Sequence, residues 1–158
     1  MASKTNAIRM IQQAGIPFQE AFYEYDEKDL SGMHAANAIG MPPQQVFKTL
    51  VARGTYTGIH VFCIPVCCEL DLKKAAKAAG DKRIEMVSVK ELLSLTGYIR
   101  GGCSPVGMKK RYPTHMDASC RQFSQIGVSA GQRGHQMILP PTELAQYLQA
   151  DYCDLIQT

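Results

Sequence analysis

The sequence predicts a mixed α/β (α+β) domain in which helices surround a mainly antiparallel sheet. Two observations predict it. Short capped helical segments alternate with apolar strand-like segments, and their order mixes hairpins with crossovers, whereas a strictly alternating order would favour a doubly wound parallel sheet. No internal repeat, low-complexity stretch or linker interrupts the 158 residues, so we expect one domain over residues 1–158.

Helices are predicted where a capping side chain opens a short segment and a glycine closes it. Ser88 and Glu91 have the spacing of a capping box, and Gly97 ends the segment that follows them. Asp71 caps an alanine- and lysine-rich segment that Gly80 closes. The predicted helices cover residues 6–14, 31–39, 72–79, 89–95 and about 142–149.

Strands are predicted in the apolar segments between these helices. Residues 46–53 and 59–66 are separated by a short turn that begins and ends with glycine, which is typical of a hairpin. The predicted strands cover residues 18–25, 46–53, 59–66, 84–87, 114–117, 126–129 and 136–139.

The composition is that of an ordinary globular protein. Hydrophobic residues make up 46% of the chain and charged residues 20%, which argues against disorder. The formal net charge of +3 permits a polyanionic partner but lacks the basic bias of a dedicated nucleic-acid binder. No apolar run approaches the roughly 20 residues that span a bilayer, and the first residues lack the apolar core of a signal peptide. We therefore expect a cytoplasmic protein with no membrane partner and no DNA partner.

The six cysteines and four histidines form no pattern that predicts a metal site or a disulfide. There is no C-x-x-C pair, and the adjacent Cys67 and Cys68 suit a structural bridge poorly. His60, Cys63 and Cys67 are conceivable metal ligands, but they lie on an apolar strand and its exit, where cysteine usually packs as a small hydrophobe. No catalytic triad or H-E-x-x-H arrangement appears. Reduced thiols, no metal and no cofactor are expected.

Lys48 is a charge in the middle of a strand that is otherwise apolar on both faces. Side chains alternate along a strand, so Lys48 lies on one face with Val46 and Leu50. An unpaired buried ammonium is very costly, so the side chain either reaches water or faces a polar cavity. The same pattern also fits an edge-strand lysine that blocks aggregation. The strand alone leaves both interpretations open.

The glycine-rich segment over residues 96–107 is a candidate ligand loop. Its glycines let the backbone approach a ligand and direct N–H groups at an oxyanion or an ester carbonyl, although a plain structural turn is the alternative. It is not a nucleophile elbow, because the second glycine of G-x-S-x-G is missing around Ser104. It is not a P-loop, because the GK[ST] ending is absent. Residues 128–134, a strand that ends in a glycine turn, predict by themselves only a hairpin.

Taken in order, five segments resemble the YbaK/EbsC family, the free-standing relatives of the editing domain inserted in bacterial prolyl-tRNA synthetases. The segments are residues 46–50, 70–77, 96–107, 113–117 and 128–134. The resemblance covers essentially the whole chain and implies a barrel-like mixed sheet surrounded by helices. It also implies an activity, the deacylation in trans of mischarged tRNA, above all Cys-tRNA(Pro) and also Cys-tRNA(Cys). Cysteine and proline have similar bulk, and a pocket separates such near-isosteres by only ~1–3 kcal/mol, so a second sieve is needed.

The resemblance further implies a site without a metal or a protein nucleophile. Lys48 corresponds to the key active-site residue, whose ammonium either anchors the 3′-terminal phosphate or polarises the ester. The thiol of the cysteinyl group attacks its own ester carbonyl and leaves as a thiolactone. The implied substrate-binding positions are Tyr23, Thr49, Gly101, Gly102, Ser104, Ser129 and Gly131.

Several alternatives remain open at this stage. Many relatives carry an acidic residue after the last Arg-Gly, where this chain has His135 and Gln136, so a catalytic carboxylate there is doubtful. An alanine-type editor of tRNA(Pro) and a non-catalytic module that binds tRNA or a synthetase are rival functions. The expected substrate partner is the 3′-terminal aminoacyl-adenosine of a tRNA, with prolyl-tRNA synthetase as a candidate protein partner.

Overall fold

The computed structural model describes residues 4–158, and the strands of this part of the chain form two sheets. The expectation about a signal peptide falls partly on residues 1–3, outside the described residues. One sheet has three strands in the order β1-β7-β6, and the other has five in the order β4-β2-β3-β5-β8. The strands are β1 Gln19–Phe22, β2 Phe47–Gly54, β3 Gly58–Pro65, β4 Ile84–Met86, β5 Thr114–Asp117, β6 Ile126–Gln132, β7 His135–Leu139 and β8 Asp151–Cys153.

The helices begin at the predicted caps. The Ser31, Asp71 and Ser88 side chains accept hydrogen bonds from backbone N–H groups of the first turns, which otherwise lack partners. The last helix differs: it begins with Pro141 at its first position instead of a capping side chain, and Gln149 closes it in the left-handed conformation. The helices are α1 Asn6–Gln13, α2 Gly32–Ile39, α3 Leu72–Ala79, α4 Val89–Thr96 and α5 Pro141–Leu148.

The pairing confirms a mixed, mainly antiparallel architecture. The strand pairs β1–β7, β2–β3, β2–β4 and β6–β7 are antiparallel, while β3–β5 and β5–β8 are parallel. The predicted hairpin forms between β2 and β3, in register from Phe47 opposite Pro65 to Gly54 opposite Gly58. Among the described residues, a parallel bridge between Val46 and Gly127 joins the backbones of the two sheets. No closed barrel is found among residues 4–158, so the barrel-like arrangement stays a prediction.

Two short elements were not predicted. Residues Ala118–Gln122 form a 3₁₀ helix, and the three residues of β8 add a parallel strand to β5. A 3₁₀ helix of five residues spans less than two turns, and a strand of three residues barely exceeds one alternation, so neither has a hydrophobic period that can be read from sequence. The expected strand over 18–25 is also shorter, since it pairs with β7 only over Gln19–Phe22.

Strand β2 lies between two apolar clusters, as the alternation in its sequence indicates. Phe47 and Val51 pack in the larger cluster, which includes residues of β6 and β7. Leu50 and Ala52 pack on the other face, with Phe62, Ile64 and residues of α3. In the part of the chain that the structure describes, no helix is long and apolar enough to cross a membrane.

Candidate functional site

A cavity of about 540 Å³ opens where the two sheets part beside β2. Five of the eight predicted site residues line it: Tyr23, Lys48, Thr49, Gly101 and Ser129. They come from four separate stretches of the chain, the β1 exit, β2, the glycine loop and β6. The fold therefore brings together residues that are more than 100 positions apart in sequence.

Lys48 lines this cavity with a side chain that is 26% exposed. Its Nζ lies 3.8 Å from Oε1 of Glu69, whose side chain is 78% exposed. An ion pair this long and this solvated holds the ammonium only weakly, because water screens the attraction. The positive charge at the cavity wall therefore remains available to an anionic or carbonyl group of a ligand.

Among residues 4–158, no strand pairs with one backbone edge of β2 beside Lys48. Gln45 O accepts a hydrogen bond from Gly127 N, and Val51 O accepts one from Val87 N, both on the side away from β3. Between these points β2 has a described strand partner only in β3, since β4 pairs with Ala52–Gly54. Alternate residues of an antiparallel strand face a given neighbour, so Thr49 faces the same side as Gln45 and Val51. The peptide N–H and C=O of Thr49 thus point to the cavity side.

The Thr49 side chain carries a buried hydroxyl that lacks a strong partner within residues 4–158. Among the described residues its Oγ1 is buried without an oxygen or nitrogen partner, and the buried thiol of Cys63 lies opposite it on β3. Burial raises the pKa of that thiol to about 12, although its contact with Thr49 acts in the opposite direction. Leaving this hydroxyl unpaired costs ~1–3 kcal/mol, but its oxygen is buried and does not reach the cavity surface.

The glycine loop places one predicted residue at the cavity and uses the others to build itself. Gly101 lines the wall with φ +88°, a conformation that favours glycine, and a Cβ there would lie 3.2 Å from the Leu30 side chain. Gly102 donates its N–H to Ile99 O at 3.0 Å, and Oγ of the buried Ser104 accepts the N–H of Val106. Gly102 and Ser104 lie outside the cavity lining, and their substrate-binding role stays a prediction.

The opposite wall is formed by β6 and β7. Ser129 lines the cavity, and its Oγ accepts the N–H of Gly131, which itself lies outside the lining and packs against the Tyr98 ring. Gln136 also lines the cavity: it is 6% exposed, and its Oε1 has no described partner. His135 is turned away from it, within 3.0 Å of Glu20 and stacked on Phe22. Where many relatives carry an acidic residue, this chain therefore presents the neutral amide of Gln136 to the site.

The polar lining residues that the sequence did not assign to the site include Arg100, Cys103 and Gln136. The first two lie inside the glycine-rich motif, but nothing in their spacing marks them as wall residues. Burial raises the pKa of the Cys103 thiol to about 12, so it is protonated near neutral pH and is a poor nucleophile. The conceivable metal ligands His60 and Cys63 lie on opposite faces of β3 and cannot share an ion.

Comparison with known proteins decides the family. The model of the aminoacyl-tRNA editing domain matches residues 31–147, which include all the site positions above except Tyr23. The chain belongs to the aminoacyl-tRNA editing domain family. This confirms the resemblance stated from the five sequence segments.

The relatives of this editing domain agree with that membership. An Enterococcus faecalis protein described as "Putative Cys-tRNA(Pro)/Cys-tRNA(Cys) deacylase EbsC" is 45% identical over 152 residues, 96% of this chain and 93% of that protein. The protein YwhH of Bacillus subtilis, described as uncharacterized, is 27% identical over 78% of both chains.

Solved structures show the same fold. A putative trans-editing enzyme for prolyl tRNA synthetase superposes with a TM-score of 0.83 at 24% identity, covering 99% of this chain and all of that one. The hypothetical protein APE2540 superposes with a TM-score of 0.87 at 20% identity, covering 97% of this chain and all of that one.

Proposed function

We propose that this protein is a trans-editing deacylase that clears cysteine from mischarged tRNA(Pro), and also acts on Cys-tRNA(Cys). The observation that carries the proposal is the cavity beside β2, where the weakly paired ammonium of Lys48, the free backbone edge at Thr49 and Gly101 meet. The 45% identity with a protein described as a deacylase of these two tRNAs supports the substrate. The proposal includes a cytoplasmic location, because aminoacyl-tRNA occurs there.

The chemistry we propose is substrate-assisted. The sulfur of the cysteinyl group attacks the ester carbonyl carbon, a C–S bond forms, and the C–O bond to the terminal ribose breaks. The thiol proton passes to the departing ribose oxygen, so the products are a cysteine thiolactone and free tRNA. An intramolecular attack in the right geometry gains on the order of 7–11 kcal/mol over a bimolecular one. The protein then needs to hold the conformer and stabilise the oxyanion, which requires no protein nucleophile.

The cavity wall contains the groups that this role needs. The Lys48 ammonium either anchors the 3′-terminal phosphate or polarises the ester carbonyl. The Thr49 N–H and the Gly101 segment supply the kind of backbone donor that stabilises an oxyanion, where each donor is worth ~10²–10³ in rate. The Cys103 thiol, protonated because burial raises its pKa to about 12, stays out of the reaction.

The proposal is tested by deacylation of defined substrates. Purified protein is mixed with Cys-tRNA(Pro), Cys-tRNA(Cys), Ala-tRNA(Pro) and Pro-tRNA(Pro), and ester loss is compared with that in buffer. We expect fast loss from both cysteinyl substrates with thiolactone as the first product, and slow loss from the others. Loss of alanine as fast as of cysteine would replace the proposal with the alanine-type editor. Tight binding of tRNA without ester loss would replace it with the non-catalytic module.

Association with prolyl-tRNA synthetase is the finer part of the proposal. The net charge of +3 is small for sequence-specific reading of a tRNA body, so a synthetase that supplies the tRNA would explain specificity for tRNA(Pro). Adding prolyl-tRNA synthetase and tRNA(Pro) should then lower the KM for Cys-tRNA(Pro) more than for Cys-tRNA(Cys). An equal effect on both substrates contradicts this partner.

A further inference from the structure

A continuous chain of side-chain hydrogen bonds crosses β3, β5 and β8 away from the cavity. Thr57 Oγ1 lies 2.7 Å from His60 Nε2, His60 Nδ1 lies 3.0 Å from His115 Nε2, and His115 Nδ1 lies 2.6 Å from Asp151 Oδ1. The two imidazoles are 4% and 6% exposed and stack on each other. None of these four residues lines the cavity described above.

Asp81, at the Thr57 end of this hydrogen-bond chain, determines which atoms in it donate and which accept. The Thr57 hydroxyl lies 2.6 Å from Oδ2 of Asp81, and the same oxygen accepts the N–H groups of Tyr56 and Thr57. A hydroxyl has a single hydrogen, so Thr57 donates it to the carboxylate and its oxygen accepts from His60 Nε2. In a neutral His60 the other nitrogen, Nδ1, then accepts from His115 Nε2.

This direction leaves His115 Nδ1 without a hydrogen where it meets Asp151. A neutral His115 that donates from Nε2 has a lone pair on Nδ1, and that lone pair faces a carboxylate oxygen 2.6 Å away. Two acceptors at this distance repel each other unless a cation lies between them. The hydrogen-bond chain therefore calls for either a proton on His115 Nδ1 or a metal ion at the β5–β8 contact.

The same position has a third soft ligand. Cys153 is two residues after Asp151 on β8, so both side chains lie on the same face of the strand, and Asp151 is in register with His115 on β5. One ligand atom from each of the three residues lies within 4.8 Å of the other two. Nitrogen, oxygen and sulfur donors together are the ligand set of zinc-type ions.

We propose that His115 Nδ1, the Asp151 carboxylate and Cys153 Sγ bind one divalent ion of the zinc type, with water as a fourth ligand. Bonds of about 2.0–2.3 Å place such ligand atoms roughly 3.3–3.8 Å apart, so the His115–Asp151 contact opens slightly on binding. The Asp151 side chain is 57% exposed and free to make that movement. His60 is the partner that fixes the His115 tautomer, the usual role of the group behind a histidine ligand.

The ion would link the edge strand β8 to its neighbour β5 in the larger sheet. Its ligands are separate from the cavity, so we expect it to stabilise the fold and not to take part in deacylation. The inference does not depend on the proposed function, because its measurements contain no tRNA.

The test uses untagged, chelator-treated full-length protein in a background that removes a competing site. Cys67 and Cys68 have Sγ atoms 3.8 Å apart near the surface and could bind soft ions themselves, so both are changed to serine. Cobalt(II) is titrated into this Cys67→Ser/Cys68→Ser protein near pH 7.5 with a phosphine reductant. We expect one cobalt per chain, a thiolate-to-metal charge-transfer band, and displacement by one equivalent of zinc.

The decisive comparison adds Cys153→Ser to the same background, which keeps the histidine chain and the fold intact. We expect the charge-transfer band to disappear and the affinity to fall at least ~10-fold, as for other lost metal ligands. Zinc should raise the melting temperature of the background protein but not of the Cys153→Ser variant. Absence of stoichiometric cobalt binding, or binding that Cys153→Ser leaves unchanged, overturns the proposal. A proton on His115 Nδ1, donated to Asp151, then takes the cation position.

Discussion

Lys48 and Thr49 are adjacent residues whose side chains leave β2 on opposite faces, yet both line one cavity. This is possible because β2 lacks a described partner along one edge at this point, so a ligand approaches the strand from its side and meets both faces. Thr49 also presents its peptide group there. An ammonium and a backbone donor thus come from two consecutive residues.

Replacing Lys48 tests the role of the charge. Lys48→Ala should reduce kcat/KM for Cys-tRNA(Pro) by ~10²–10³-fold, because a group that stabilises developing charge or anchors the substrate is lost. Its weak contact with the exposed Glu69 means that folding should be almost unaffected. The matched control is Lys73→Ala on the exposed face of α3, which should keep the wild-type rate. A folded Lys48→Ala protein with a wild-type rate contradicts the site assignment.

The cavity cysteine provides a test of substrate assistance. Burial raises the pKa of Cys103 to about 12, so this thiol is protonated throughout pH 6–8.5 and Cys103→Ser should keep most of the activity. The rate should instead follow ionisation of the substrate thiol, which rises about tenfold per pH unit below its pKa of about 8.5. Initial rates across this pH range, corrected for ester loss in buffer, measure it. Loss of activity in Cys103→Ser with a folded protein indicates a protein nucleophile.

At the scale of elements, the glycine loop over residues 96–107 is a scaffold that has one face toward the cavity. Gly102 and Ser104 are used in bonds within the loop, and only Gly101 and its neighbours Arg100 and Cys103 reach the cavity. Arg133, from the β6–β7 turn, holds the loop by donating its Nε–H to Arg100 O at 2.9 Å. A side chain added at position 101 would therefore disturb the wall itself.

Two glycine variants separate this effect from ordinary backbone strain. Gly101→Ala and Gly15→Ala both force alanine into positive φ, +88° and +74° respectively, and each should lower stability by roughly 1 kcal/mol. At Gly101 the new Cβ also lies 3.2 Å from Leu30, whereas at Gly15 no described residue beyond its chain neighbours comes within 4 Å. Melting temperatures should fall similarly, while only Gly101→Ala should lose activity. Equal activity in the two variants contradicts a cavity role for the loop.

At the scale of the whole molecule, Asp81 joins the β2–β3 hairpin to the α3–β4 connection. The hydroxyl and N–H of Thr57, with other backbone N–H groups, hold the pKa of Asp81 well below its usual range. The two sheets, by contrast, share one apolar cluster and, among the described residues, a backbone bridge between Val46 and Gly127. The hydrogen bonds of Asp81 therefore stabilise the larger sheet at a place away from the cavity.

The lowered pKa of Asp81 predicts that the stability of the protein falls in acid. A carboxyl whose pKa is lowered in the folded state contributes stability above its unfolded value of about 3.9 and loses it as the pH falls further. The melting temperature should therefore drop as pH falls from about 5 to 3. Asp81→Asn should melt lower at pH 7 and lose less on acidification, whereas Asp154→Asn, an exposed control, should change little. Parallel acid profiles for wild type and Asp81→Asn contradict this role.

The sequence by itself determined the helix starts, the β2–β3 hairpin, the position of Lys48 in a two-faced strand and the family. These depend on local signals, namely capping side chains, alternation, and motifs of five to twelve residues in order. Only the tertiary structure decided that β2 has an open edge, that Gln136 takes the wall position, and that Gly102, Ser104 and Gly131 lie behind it. It also decided the pairing of β8 with β5, which joins His115 to Asp151. The physical reason is that these features depend on contacts between residues tens of positions apart, and local patterns carry no information about which distant backbone leaves an edge or a cavity free.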